Sequence, residues 1–150
     1  MTPKALSIYR TLPDVCSMAL TADGEAEDQG HNGMQAVCEV IRNRHDLWHQ
    51  TYQQVCFTAG QFECFDKEEA KMIAGAEAFL NGQIGTYLAI AKLIAQEVMS
   101  GEYTALVPKC TFYKRFDAPS PWFDKELAEG KMIRVTQVAA HVFYAETRFL

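Results

Sequence analysis

Apolar side chains recur at helical spacing through the first hundred residues, and beyond Gly101 that period stops. Val15, Met18, Ala19 and Ala22 fall at i, i+3, i+4 and i+7, which predicts a helix burying one stripe. Thr11-Leu12-Pro13-Asp14 reads as its start, with Thr11 as cap, Pro13 in the first turn and Asp14 as reciprocal cap. A longer helix is predicted from about Asn32 to Arg44 or slightly beyond. Met34, Val37, Cys38 and Ile41 form its buried stripe, with Gln35, Glu39 and Arg42 outward. Asn43 shares the inner side with Ala36 and Val40, so its amide needs partners, which the glycine-rich loop beyond Glu25 is expected to supply. Arg44 falls on a face with Val37, Ile41 and Trp48; its stem is expected to pack there and its head to pair with a carboxylate.

Thr51 to Phe57 reads as a short helix, and Gln61-Phe-Glu-Cys-Phe65 as a loop folded inward that presents the Gln61 amide. Two more helices follow. Asp66 is expected to cap the first, with Ile73, Ala76 and Leu80 inside and Asn81-Gly82 as its stop. Tyr87, Ile90, Ala91, Ile94 and Val98 mark the buried side of the second, which Ser100-Gly101 ends. Then β-branched and aromatic residues take over. Lys109 to Phe116, Met132 to Val138 and Ala140 to Tyr144 are predicted to form a small antiparallel sheet. Pro119-Ser-Pro121 sets a turn ahead of Trp122, and Phe112, Phe116 and Phe143 are assigned to the core. The fold class is α+β, mostly helical, in one domain spanning 1–150.

Composition narrows the partners. A net charge of −5 argues against a nucleic acid gripped by its phosphates. No apolar run approaches the ~20 residues of a membrane span, so no stable membrane association is expected. The first residues lack the apolar stretch of a secretion signal. Cys16, Cys38, Cys56, Cys64 and Cys110 contain no C-x-x-C pair and read as reduced thiols, which implies folding in a cytoplasm. His45-Asp-Leu-Trp-His49 has the histidine spacing of a zinc-protease helix, but Asp46 stands where the water-activating glutamate belongs. Neither a metal nor another cofactor is expected, and a monomer is.

Candidate chemistry concentrates at one helix end. Asp23, Glu25, Glu27 and Asp28 crowd together, and like charges raise one another's pKa values. Glu25 continues the apolar stripe of Met18 and Ala22, at a last turn where the helix dipole also disfavours a negative charge. A half-dry carboxyl group of this kind suits a general acid. Aromatic rings with polar neighbours later in the chain are what a carbohydrate groove needs, since flat rings stack on sugar faces.

Taken in order, these segments resemble the SleB/CwlJ-type cell-wall hydrolases. The likeness rests on Gly24-Glu25-Ala26, Gly33-Met-Gln-Ala-Val37, Ile41-Arg-Asn-Arg44, Gln61-Phe62 with Cys64-Phe65, Thr111-Phe-Tyr113, Pro121-Trp122 and His141-Val-Phe-Tyr144. It implies a lysozyme-like domain that cleaves the MurNAc–GlcNAc bond of peptidoglycan glycan strands, with Glu25 as the catalytic glutamate. Gln61, Phe62, Thr111, Tyr113, Trp122, His141 and Tyr144 are then expected to bind substrate. A lone catalytic domain with reduced cysteines resembles a bacteriophage endolysin, held in the host cytoplasm until a holin releases it. Many members carry a second acid four positions after the glutamate; here that residue is Gln29. A lytic transglycosylase needs only the one carboxyl, whereas a hydrolytic muramidase would need a partner from Glu63, Asp66 or Asp28. A Cys-His amidase would use Cys64 or Cys110, placed in loops, with His141 as base.

Overall fold

The computed structural model describes residues 1–150, and the chain is mostly helical with one small sheet. The helices are α1 (Pro3–Tyr9), α2 (Asp14–Ala26), α3 (Gly30–Trp48), α4 (Tyr52–Phe57), α5 (Cys64–Lys67), α6 (Glu69–Asn81), α7 (Thr86–Ser100) and α8 (Pro121–Ala128). The strands are β1 (Cys110–Arg115), β2 (Met132–Val138) and β3 (His141–Glu146). They form an antiparallel sheet in the order β1-β3-β2. No helix is long and apolar enough to cross a membrane.

Two helices escape the sequence reading for the same reason. Thr2 and Ser120 each accept a backbone N–H three residues on, and each is followed by a proline at the first helical position. The pair is a helix start; Pro119-Ser-Pro121 therefore opens α8 rather than making an isolated turn. Thr11 is not the cap of α2. Its hydroxyl donates to the Ile8 carbonyl at 2.7 Å, closing α1, and α2 begins at Asp14 after Pro13. Thr51 does cap α4, with a reciprocal bond from its own N–H to Gln54. Asp66 caps nothing: it lies within α5 and accepts from the N-terminal amine, while Glu68 holds the cap position of α6.

α2 is buried on nearly every side, from Cys16 through Asp23, as a helix enclosed by others must be. Met18, Leu20 and Ala22 meet Ala91, Ile94 and Val98 of α7, Val37 and Ile41 of α3, and Met72 and Ala76 of α6 in one core. Leu80, Tyr87 and Ile90, expected on the inner sides of α6 and α7, are exposed, and Met72 and Ala95 take the inner places. Phe143 is core as expected, whereas Phe116 lies at the surface, 57% exposed.

α3 joins the helices to the sheet. Its other side places Ala36 and Val40 against Val107, Cys110, Phe143 and Ala145. Three polar side chains then fasten the contact through backbone groups. Glu39, expected outward, is 1% exposed and accepts from the N–H groups of Leu106 and Val107 at 2.9 and 3.1 Å, and from Gln35 Nε2 at 3.0 Å. Asn43 finds its partners in the Val107 and Cys110 carbonyls, at 3.2 and 2.9 Å, not in the glycine-rich loop. Arg44 pairs with no carboxylate; its Nε donates to the Thr111 carbonyl at 2.7 Å. Sequence periodicity could not foresee these, because the partners lie more than sixty residues away.

Truncating Glu39 should expose what the contact is worth. Glu39→Ala leaves one buried and one partly buried N–H group unpaired and is expected to cost about 3 kcal/mol, read as a lower urea midpoint. Glu39→Gln keeps one acceptor and should cost roughly half of that.

Candidate active site

A cleft of about 820 Å³ opens between the α2–α3 junction and α5 on one wall and β1, the α8 entry and β3 on the other. Glu25 sits in it at the last turn of α2, half-buried. Its Oε1 accepts from the Tyr113 hydroxyl at 2.7 Å, and its Oε2 from the Cys64 N–H at 3.3 Å. Burial pushes its pKa above the ordinary glutamate value, and the Tyr113 and Cys64 hydrogen bonds offset part of that rise. The expected cause, a crowd of like charges, is secondary: the neighbouring acid that adds to the rise is Glu63, and it ranks behind burial.

Gly24 makes this packing possible. A methyl group there would lie 2.7 Å from the Met72 sulfur and 2.9 Å from Cys64 Sγ. With hydrogen in its place, α5 presses on the end of α2 and brings its first N–H to Glu25. Gln29, on the other side, clamps the β2–β3 hairpin. Its Oε1 accepts from the Ala140 N–H at 2.9 Å, beside Ala139 in the left-handed conformation, and its Nε2 donates to Asp28 at 3.0 Å. A carboxylate at 29 could serve Ala140 but would repel Asp28, so an amide is the residue that satisfies both.

The remaining expected residues divide into two groups. Gln61, Tyr113 and His141 line the cleft with Glu25. His141 is buried, edge-on to Tyr113 at 5.0 Å, and its Nδ1 has no partner. Burial, aided by Arg115, lowers its pKa, which favours a neutral ring. An orphaned N–H is costlier than an orphaned lone pair, so the proton belongs on Nε2.

Phe62, Thr111, Trp122 and Tyr144 do not line the cleft. Phe62 is buried beneath Arg44, and Thr111 is buried with its hydroxyl donating to Glu146 at 2.8 Å. Tyr144 packs on Phe123, at 4.8 Å between rings. Trp122 leans on Phe112 over a separate hollow of about 280 Å³, shared with Glu126, Lys131, Met132 and Arg148. Phe112 lines that hollow while its neighbour Tyr113 lines the cleft, so adjacent residues of β1 serve different sites. Arg44 and Lys114 line the cleft although no sequence signal marked them as site residues.

The other acids are arranged differently from Glu25. Glu63 pairs with Lys67 at 2.7 Å, and Glu27 with Lys71 at 2.5 Å. Asp66 is turned away to the N-terminal amine. Asp23 is buried outside the cleft lining, with Oδ1 unpartnered and its pKa pushed up by burial and then by Glu27. Neither cysteine suits a nucleophile. Cys110 is buried in the α3–sheet contact, and burial plus the adjacent Glu25 push the Cys64 thiol far from ionisation. Cys64 also begins α5 and Cys110 begins β1, so neither lies in a loop. His45 does not combine with His49 as a ligand pair: its Nδ1 lies against the Gln50 carbonyl and its ring stacks on Tyr52.

Similarity to known proteins converges on the same architecture. The fold matches the catalytic domain of the Bacillus cereus SleB protein with a TM-score of 0.60, 23% identity, and coverage of 87% of this chain and 88% of that one. At that identity the likeness shows a shared lysozyme-like fold. A search of curated proteins returned no match. The family model for cell wall hydrolases matches residues 28–144, beginning three positions after Glu25. With well over half of its length matched, the chain belongs to the cell wall hydrolase family, enzymes that act on peptidoglycan.

Proposed function

We propose that the chain cleaves the MurNAc–GlcNAc bond of peptidoglycan as a lytic transglycosylase, with Glu25 as acid and then base. Protonated Glu25 gives its proton to the glycosidic oxygen as the bond to C1 breaks. The resulting carboxylate takes the proton of the muramic acid C6 hydroxyl as that oxygen closes on C1. The products are a free GlcNAc hydroxyl and a 1,6-anhydro sugar, and Glu25 ends as it began. Tyr113 and the Cys64 N–H hold the carboxyl group in place and steady its charge between the two steps.

The observation that carries this reading is the pairing of the other acids. Glu63 and Glu27 are engaged by lysines, Asp66 by the N-terminal amine and Asp28 by Gln29. Glu25 is left as the half-dry carboxyl group facing the cleft without a cation, and a mechanism in which the substrate supplies the nucleophile asks for no more. All five cysteines are free and buried, which fits folding in a reducing compartment. We further propose that the protein is a phage endolysin that waits in the host cytoplasm for a holin.

Mass spectrometry of digested peptidoglycan tests the chemistry. Fragments one water lighter than hydrolysis products are expected, and Glu25→Gln should yield none. Hydrated reducing ends would give the role to a muramidase, with Asp28 the carboxylate to examine next. Glu25 also makes two pH predictions. The rate should fall as pH rises through its elevated pKa, because the acid must carry its proton. Stability has the same sign: a folded-state pKa above the unfolded one means the folded state binds the proton more tightly, so stability is lost as pH rises through that window. Glu25→Gln removes this loss. Its Tm should match wild type near pH ~4 and exceed it near pH ~7, as followed by thermal melts across that range.

A further inference from the structure

Arg44 is a buried cation with no carboxylate in direct contact; Glu146 and Glu25 act on it only from a distance. It is 4% exposed, and its guanidinium lies 4.9, 5.0 and 5.5 Å from the rings of Trp48, Phe62 and Phe112. Burying a charge without a counter-ion in contact is costly, and an unbranched apolar side chain would fill that aromatic niche at less cost. The charge therefore has work to do in the cleft it lines. Nε is occupied by the Thr111 carbonyl. Nη1 reaches one side-chain acceptor, Gln61 Oε1, at 3.4 Å.

That contact sets which way an exposed amide faces. Gln61 stands on the cleft wall, anchored by buried Phe62 next in sequence. An unconstrained glutamine can offer either its oxygen or its NH₂ group. A guanidinium has donors only, so it draws Oε1 inward and turns Nε2 the other way. Of the oxygens on the N-acetylated sugar rings, the acetamide carbonyl is the one best suited to receive an amide proton, since hydroxyl, ring and bridging oxygens are weaker acceptors.

We propose that Arg44 is a positioning residue that fixes the Gln61 amide so that its Nε2 protons face the cleft and donate to an acetamide carbonyl of the glycan. The inference rests on the glycan-cleaving role proposed for this cleft, and it adds a requirement for N-acetylated sugar. Lysine could not replace Arg44, because an ammonium lacks the fork that serves Thr111 and Gln61 together.

Three variants test it, assayed with N-acetylated and de-N-acetylated soluble glycan. Gln61→Glu strengthens the tie to Arg44 but has no proton to donate, so Tm should hold or rise while KM rises about tenfold. Gln61→Ala should show the same KM. Arg44→Met should raise KM by a similar factor, and adding it to Gln61→Ala should do no further harm, since both act through one contact. Wild type should lose about tenfold on de-N-acetylated glycan, and Gln61→Ala should not discriminate between the two. A wild-type KM in Gln61→Glu, additive effects in the double variant, or equal wild-type rates on both glycans would overturn the proposal. If Arg44→Met does not fold, Arg44→Lys, which keeps the charge but lacks the fork, takes its place and should raise KM by the same factor; a wild-type KM there would overturn the Arg44 role. Should Glu25→Gln remain active, the cleavage mechanism fails as well; should it be dead while Gln61→Glu keeps its KM, only the Arg44 role falls.

Discussion

The cleft exists because one helix grips the backbone of a distant strand. Glu39, Asn43 and Arg44 reach from successive turns of α3 to N–H and carbonyl groups between Leu106 and Thr111. These bonds are buried or partly buried, so each broken one strands a partner that water reaches poorly. They seat β1 beside the helices at the height where Tyr113 meets Glu25. The apolar contacts of Ala36 and Val40 are non-directional and would tolerate a slide along the strand; the polar ones would not.

Glu25 follows from this seating. Its own helix delivers it to the rim, the missing side chain of Gly24 lets α5 close over it, and β1 supplies the tyrosine. Three separate segments therefore set the environment of one carboxyl group. Desolvation by all three outweighs the hydrogen bonds that would ease ionisation, and the net push is upward. Phe112 of the same strand and Trp122 line a different hollow, so the aromatic residues of the C-terminal third serve two surfaces.

Much of this was legible in the chain. Helical period locates α2 and α3, β-branched runs locate all three strands, and the stripe Met18–Ala22–Glu25 points the glutamate to a helix end. The misses have physical causes. α1 and α8 are short, and their cap-then-proline starts resemble turns when periodicity is the guide. Glu39 looks like a surface acid because its partners are backbone N–H groups, which leave no mark in a sequence. Trp122 packs on Phe112 over a hollow of its own, whereas Phe123, next in the chain, reaches the cleft lining. Arg44 carries a charge, and charge suggests a carboxylate; three rings and a carbonyl fill that place.

The five thiols leave a practical opening. All are sequestered, so the exterior offers no sulfur nucleophile to an alkylating dye. A single cysteine introduced on an outward position such as Tyr87 would be labelled without background, and a fluorophore there would sit on α7, an element that contributes no residue to the cleft lining. The protein is thus ready for tracking on a living cell wall with its native sulfur chemistry left untouched.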